Sequence, residues 1–545
     1  MRCFRTGDCP RQILTHVETG QGGIFCVASV LTAISIQCET RSDMNRLALV
    51  FALWLASSAV GTAADWPTLH GNLQRTGFYP EFPNGKLRLA WRKELFRELT
   101  GPRAEVIVGG GAAFMGTYAG KFYCWNATNG VERWAFQTDG PIGHSPAFAD
   151  GVVFFGSMDR RLRAVMVATG RQKWSFEAEE GIWVSPVVNQ GMVMFGDRAG
   201  NFYALNAATG RPVWTHLAGD RILTTTSISE DGTRVIFASE DMHAYCLDAK
   251  TGRLLWKSRQ LPGLSLRDYA PLIVRGLAIF TTSPAKDFHA ILAEHENMLV
   301  QWAGLTGKDR RYIPGTPADI AREQERIVQF LKAHPEEQTF HAFRISDGGE
   351  PWVAPILYTG GMHNPPTPPC FNPQTGEVFV QLRSAYGIWD GGGEVRSFTC
   401  FGKLDVATGR VALVPHSYPA KEPGRPPGAK DTPWGSFNYI GDETQALSCS
   451  PGRLICTHQG NLGLLDLKTG RIENLFGRRD SYGGFYGAAN FGWEDQGGLE
   501  KARAVNQPFG LVNEWHGPAR AIVSVAGGRI YFPTGSQVLC LEVQR

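Results

Sequence analysis

Three histidines (His144, His363 and His516), the pair Arg267–Asp268, and Arg103, Trp183, Tyr269 and Asn364 are the side chains whose types could build a binding site. Imidazoles, a guanidinium and a carboxylate around one axis would suit an anion, a sugar or a metal ion. A histidine taken alone is more often a hydrogen-bonded or solvated residue. The sequence has no CxxCH haem attachment and no Cys/His spacing of zinc type. It presents no nucleophile–base pair either, so no catalytic residue and no metal site is assigned. These residues are scattered along the chain, and only a fold that returns repeatedly to one axis can gather them.

Such a fold is written in a repeat. FYCWNATNGVERW (122–134), LRAVMVATGRQKW (162–174), FYALNAATGRPVW (202–214) and AYCLDAKTGRLLW (244–256) align without gaps, with turn glycines Gly130, Gly170, Gly210 and Gly252. An alternating strand ends at Asn126, Asn206 or Asp248, whose side chain can cap the turn. Glycine four positions later supplies a positive φ, and the next strand ends in Trp134, Trp174, Trp214 or Trp256. Met166 replaces the capping residue in the second unit, which predicts a looser turn there. An earlier hairpin in each unit, such as the one turning at Asp150–Gly151, brings the unit to about four strands, one propeller blade. ISDGGEPW (345–352), with Gly349 and Trp352, and the turns at Asp405–Gly409 and Asp466–Gly470 continue the series. The C-terminal strands lack a turn motif, and Leu87–Arg92, carrying Trp91, can complete that last blade. The expectation is an all-β, eight-bladed propeller of four-stranded antiparallel blades over 65–545. By register its innermost strands start near Arg103, His144, Trp183, Thr225, Tyr269, His363, Gln445 and His516.

Residues 1–64 are set apart from that fold. Met44–Arg46, the apolar run Leu47–Leu55 and the small residues Ala56–Ala64 form a three-part secretory signal, and Met44 is a candidate true start. Nine apolar residues are too few to span a bilayer, so an exported chain, periplasmic or extracellular and without a transmembrane span, is expected. The net charge of +3 shows no basic run, which removes support for nucleic-acid binding. Cys124, Cys246 and Cys540 fall on different blades and read as small buried apolar residues.

The motif A-x-[DN]-x-x-T-G-x-x-x-W, met in full by Ala204–Trp214, resembles the repeat of pyrroloquinoline-quinone (PQQ) dehydrogenases and their non-enzymatic relatives. The latter include the propeller lipoprotein of the outer-membrane β-barrel assembly machine, and the chain looks closer to them. For an enzyme the resemblance would imply a quinone between flat hydrophobic faces, a Ca²⁺ held by carboxylate and amide oxygens, an Asp base and, in many alcohol-oxidising members, an adjacent Cys–Cys pair. No such pair and no cytochrome motif is present. Trp183 could offer a face, and Asp268, Asn364 or Asp390 could bind calcium, but none lies in a matching motif. A non-catalytic propeller that binds a protein partner or a small ligand over its funnel is therefore expected, with no cofactor. A PQQ/calcium oxidoreductase is the alternative, and a carbohydrate-binding or carbohydrate-processing propeller a further one. Two excursions interrupt the repeat. The insertion at about 264–344 predicts helices over Asp287–Trp302 and Ala318–His334, the second with one apolar face; a Gly- and aromatic-rich loop spans 477–499.

Overall fold

The structure is a computed structural model. It describes residues 65–95, 98, 100–101, 103–267, 269–285, 311–312, 317–357, 367–386, 396–414, 416–417, 446–458, 461–476, 523–533 and 537–544. Seven antiparallel four-stranded sheets and one of three described strands form an eight-bladed propeller. Blades I to IV begin at Ile107–Gly109, Ala147–Ala149, Val187–Asn189 and Ser227–Ile228. Blades V to VIII begin at Leu272–Val274, Cys370–Asn372, Ala446–Ser450 and Ser524–Ala526. These first strands are short and largely buried; the fourth strands, such as Glu132–Gln137, are mostly exposed. Apolar residues on both faces of the middle strands pack between sheets, as Phe122 does against Phe155 at 3.9 Å. Leu87–Glu94 pairs antiparallel with Gln537–Val543 and closes blade VIII, as the sequence predicts.

The repeat motif proves to be a joint between blades. Asn126 Oδ1 accepts from the Thr128 and Asn129 backbone N–H groups, and Asn206 and Asp248 repeat this. The Met166 turn is not looser. Gly170 N–H donates to Met166 O at 2.8 Å, the same length as Gly210 N–H to Asn206 O. The backbone bond therefore sets the turn, and the side-chain cap is an addition. Each turn glycine lies over the tryptophan of the preceding blade. At Gly130 (φ +71°) a Cβ would come within 2.7 Å of the Trp91 ring. The indole N–H donates to the carbonyl three residues before that glycine, Trp91 to Ala127 O at 3.0 Å and Trp134 to Val167 O at 2.8 Å. Trp174, Trp214, Trp256 and Trp352 do the same to Ala207, Ala249, Ile345 and Val406. In the fifth unit the turn glycine is Gly348 rather than Gly349. Gly348 has φ +74°, bonds Arg344 O and covers Trp256.

The single described α-helix, α1 (Pro317–Ala333), matches the second predicted helix. Ile327 and Leu331 enter the core shared by blades V and VI. The Gln324 side chain bonds Val411 twice, at 2.6 Å to its oxygen and 3.1 Å from its nitrogen. Asp287–Trp302 and the 477–499 loop lie outside the described residues. Cys124, Cys246 and Cys540 are buried and unpaired, and burial pushes each thiol up to about 12.

Between its start and blade I the chain runs along the ring of first strands. Trp66 pairs with Val108 of blade I, and Phe148 of blade II donates to Pro67 O. Ile228, Ile273, Phe371 and Cys449, on blades IV to VII, donate to Leu73, Gln74, Thr76 and Gly77. Tyr79 N–H returns to Cys449 O, and its hydroxyl donates to Val523 O beside blade VIII. The segment 66–79 thereby bonds the inward edges of the first strands of blades I, II and IV to VII, which a ring of sheets otherwise leaves open. Sequence reasoning missed it, because it carries neither strand alternation nor the repeat motif.

Two ionisable groups are buried in this layer, Arg75 and Glu105. Arg75 donates to Thr226 O, Leu69 O and Thr68 Oγ1 at 2.7–3.0 Å. Glu105 accepts from the Trp66 indole at 3.0 Å and from His70 N–H at 2.9 Å. Burial pushes the Glu105 carboxyl up to about 8, against the opposing pull of these donors and Arg75. Burial, and then Arg75, holds His70 down to about 3, so its 3.4 Å approach to Glu105 is made by a neutral imidazole.

Candidate funnel site

The predicted funnel residues of blades I to V meet at one mouth of the ring. Arg103, His144, Trp183, Thr225 and Tyr269 stand two to four residues before their first strands. All are buried. The Arg103 guanidinium lies 5.0 Å from the centre of the Tyr269 ring. Blades I and V are opposite in an eight-membered ring, so this cation–π contact braces the mouth across its diameter. Trp183 stacks on Tyr118 (6.0 Å, 23°), is met edge-on by His144 (5.5 Å, 79°) and presses on Gly143, where a Cβ would approach it to 2.2 Å. Thr225 joins its neighbours, accepting at Oγ1 from Ser185 N–H (3.3 Å) and donating its own N–H to Tyr269 O (3.2 Å). Burial, with Arg103 second, holds His144 down to about 3, so it is neutral at physiological pH.

Arg267 sits apart. It is half-buried, and its charge acts on Glu240, whose carboxylate accepts from Ser265 and Leu266. Asp268, His363, Asn364, Asp390, Gln445 and His516 lie outside the described residues. Sequence reasoning missed Thr100 and Tyr118. Tyr118 stands where the next two repeats have Met158 and Arg198, and that departure in residue type was its signal.

The described residues do not fit a sandwiched quinone. Trp183 is 3% exposed, and a planar cofactor on its ring would have to displace Tyr118 or His144. Among the described residues no group of three His, Cys, Asp or Glu is placed to hold a metal ion. The carboxyl group of Glu105, two residues before the first strand of blade I, is committed to Trp66 and His70.

The family model described as outer membrane protein assembly factor BamB matches residues 84–216 and 179–327. No curated protein matches the sequence. Among solved structures, the quinohemoprotein alcohol dehydrogenase of Comamonas testosteroni is similar at 13% identity, covering 88% of this chain and 81% of its own, with a TM-score of 0.51. A quinohemoprotein alcohol dehydrogenase of Pseudomonas putida HK5 is similar at 13% identity, covering 88% and 80%, with a TM-score of 0.49. BamB of Moraxella catarrhalis is similar at 15% identity, covering 68% and 94%, with a TM-score of 0.38. At 13% identity the likeness to the Comamonas testosteroni enzyme is one of fold.

Proposed function

We propose, from the packing of its funnel, that this PQQ-repeat β-propeller, a fold that serves enzymes and scaffolds alike, is an exported, non-catalytic binding protein. A partner or small ligand is received over the funnel mouth. The observation that carries this reading is the engagement of Trp183. This aromatic platform is already stacked on Tyr118 and capped by His144, so it serves as a wall of the site rather than a seat for a quinone. The first-strand edges of blades I, II and IV to VII are likewise bonded by the chain's own segment 66–79, which suits a rigid scaffold. Export rests on the signal-like run Met44–Ala64. No described helix is long and apolar enough to cross a membrane.

A dye-linked oxidation assay on the purified protein, with PQQ, Ca²⁺ and a panel of alcohols and sugars, tests the reading. No substrate-dependent dye reduction is expected. Substrate-dependent reduction that requires PQQ would overturn it.

A further inference from the structure

The outer edge of a blade is an unpaired strand, on which another strand can add, and folded proteins guard such edges with charges or by keeping them short. Most fourth strands of this ring are guarded. Glu132–Gln137 of blade I carries Glu132 and Arg133, and Gln172–Glu177 of blade II carries Lys173 and Glu177. Glu177 is itself held by Arg160 and Arg161. Leu254–Lys257 of blade IV ends in Lys257, Ile472–Phe476 of blade VII contains Glu473, and Leu87–Glu94 of blade VIII contains Arg88, Arg92, Lys93 and Glu94. Val411–Leu413 of blade VI is three residues long.

Blade III is the exception among these. Its fourth strand, Pro212–Leu217, is six residues without a Lys, Arg, Asp or Glu. Two of the five large apolar side chains exposed among the described residues stand on it, Val213 (50%) and Leu217 (67%). Its backbone is open as well. Phe202 pairs with His216, and Ala218 N–H donates to Gly200 O at 2.8 Å, so the even-numbered residues bond inward to the third strand. Thr215 and Leu217 therefore turn their N–H and C=O groups outward. Pro212, at the start of the strand, guards only its own position. His216 lies on the opposite face from Val213, Thr215 and Leu217, edge-on to Tyr245 at 6.0 Å, and burial holds its pKa down, so it adds no charge.

The strand is complementary to itself. In an antiparallel pair about a twofold axis at Thr215, Val213 of one copy faces Leu217 of the other and the two Thr215 side chains meet. The same register carries Arg211 of each copy toward Asp220 of the other. Arg211 is exposed and makes no ion pair among the described residues. Asp220 has Arg221 at 3.6 Å, with both side chains 47% exposed, and its open side can take a second cation. Opposite charges thus meet at both ends of the pair, with no charge between them.

We propose that the protein self-associates through this edge, two copies pairing the Pro212–Leu217 strands of blade III antiparallel about Thr215 and joining two four-stranded sheets into one. The proposal goes beyond the binding reading and does not use the funnel. A contact of one short strand per copy is small, so the dimer is weak and reversible.

Sedimentation equilibrium of the whole protein from about 1 to 100 µM tests it, and a reversible monomer–dimer equilibrium within that range is expected. Thr215→Lys sets two ammonium groups against each other on the twofold axis and is expected to leave only monomer. The position is exposed, so the urea midpoint of this variant is expected to match that of the wild type, which separates lost pairing from misfolding. Ser175→Lys, at the equivalent place on blade II, is expected to leave the dimer intact. Arg211→Glu is expected to weaken the dimer about fivefold, and adding Asp220→Arg to restore it. The proposal is overturned if the protein stays monomeric up to about 100 µM, or if Thr215→Lys dimerises as the wild type does. It is equally overturned if Ser175→Lys disrupts the dimer as much, if Arg211→Glu leaves the affinity unchanged, or if the double variant recovers nothing.

Discussion

The six joints running from blade VIII through blade I to blade VI differ in construction from the two that complete the ring. Each of the six carries a tryptophan under the next blade's turn glycine, with the indole N–H on a fixed carbonyl. At the VI–VII joint the fourth strand Val411–Leu413 has no tryptophan, although the Asp466 turn keeps its caps. Blade VII's fourth strand, Ile472–Phe476, has none either. There Phe78 joins a small core with Cys370, Phe401, Leu447 and Cys449, and Tyr79 reaches across to Val523. Where the repeat loses its lock, the non-repeating segment 66–79 takes over the fastening.

The largest expected effect breaks a regular joint. Trp174→Ala removes a ring wedged under Gly210 together with its bond to Ala207 O, and a loss of about 3–5 kcal/mol is expected in urea unfolding. Val414→Ala at the tryptophan-free joint is expected to cost less, about 1–2 kcal/mol, because a small buried aliphatic side chain leaves a smaller cavity. Equal losses would mean that the two kinds of joint are energetically alike.

Arg75→Met attacks the fastening segment instead. It leaves the Thr226 and Leu69 carbonyls and the Thr68 hydroxyl without their donor. A cost of about 3 kcal/mol is expected, measured in the same way. A neutral result would show that 66–79 only lines the channel.

A second pair isolates the role of the tryptophan ring from that of the backbone. Gly191 (φ +76°) has open space where a Cβ would go, whereas at Gly210 (φ +72°) a Cβ would lie 2.6 Å from the Trp174 ring. Both alanine variants bear the strain of a left-handed backbone, about 1 kcal/mol. Gly210→Ala is expected to cost at least about 1 kcal/mol more, since the close-packed ring must shift.

The smallest effect is read from pH. Glu105 has its folded pKa raised to about 8 from 4.5, so the stability tied to its protonated form is lost as pH rises through 8. His70, His144 and His341 are held down to about 3 from 6.5, and their contributions are lost as pH falls below 6.5. Stability is therefore expected to peak near pH 6.5 and to fall by about 1 kcal/mol toward pH 8. In Glu105→Gln the fall on the alkaline side should disappear; a persistent fall would place its cause elsewhere.

The same contrast governs what the sequence discloses. Blade number, ring closure through Trp91 and the four-strand unit are legible because one local rule is written repeatedly. Where two glycines adjoin, at Gly348 and Gly349, the motif leaves the register open by one residue, and only the Trp256 ring beneath settles it. The segment 66–79 is illegible because its contacts are spread over several blades and follow no repeat. The funnel falls between these cases. Register alone brings Arg103, His144, Trp183 and Tyr269 to one mouth, but the stack of Tyr118 on Trp183 comes from a strand connection that innermost-strand counting does not visit.

The central claim, a propeller that binds without a quinone, is most directly met by calorimetric titration of PQQ with Ca²⁺ into the purified protein. No saturable heat up to about 1 mM PQQ is expected, because Trp183 is held between Tyr118 and His144. Saturation at one site, weakened by Trp183→Ala, would contradict the account and make this an oxidoreductase fold with its cofactor removed.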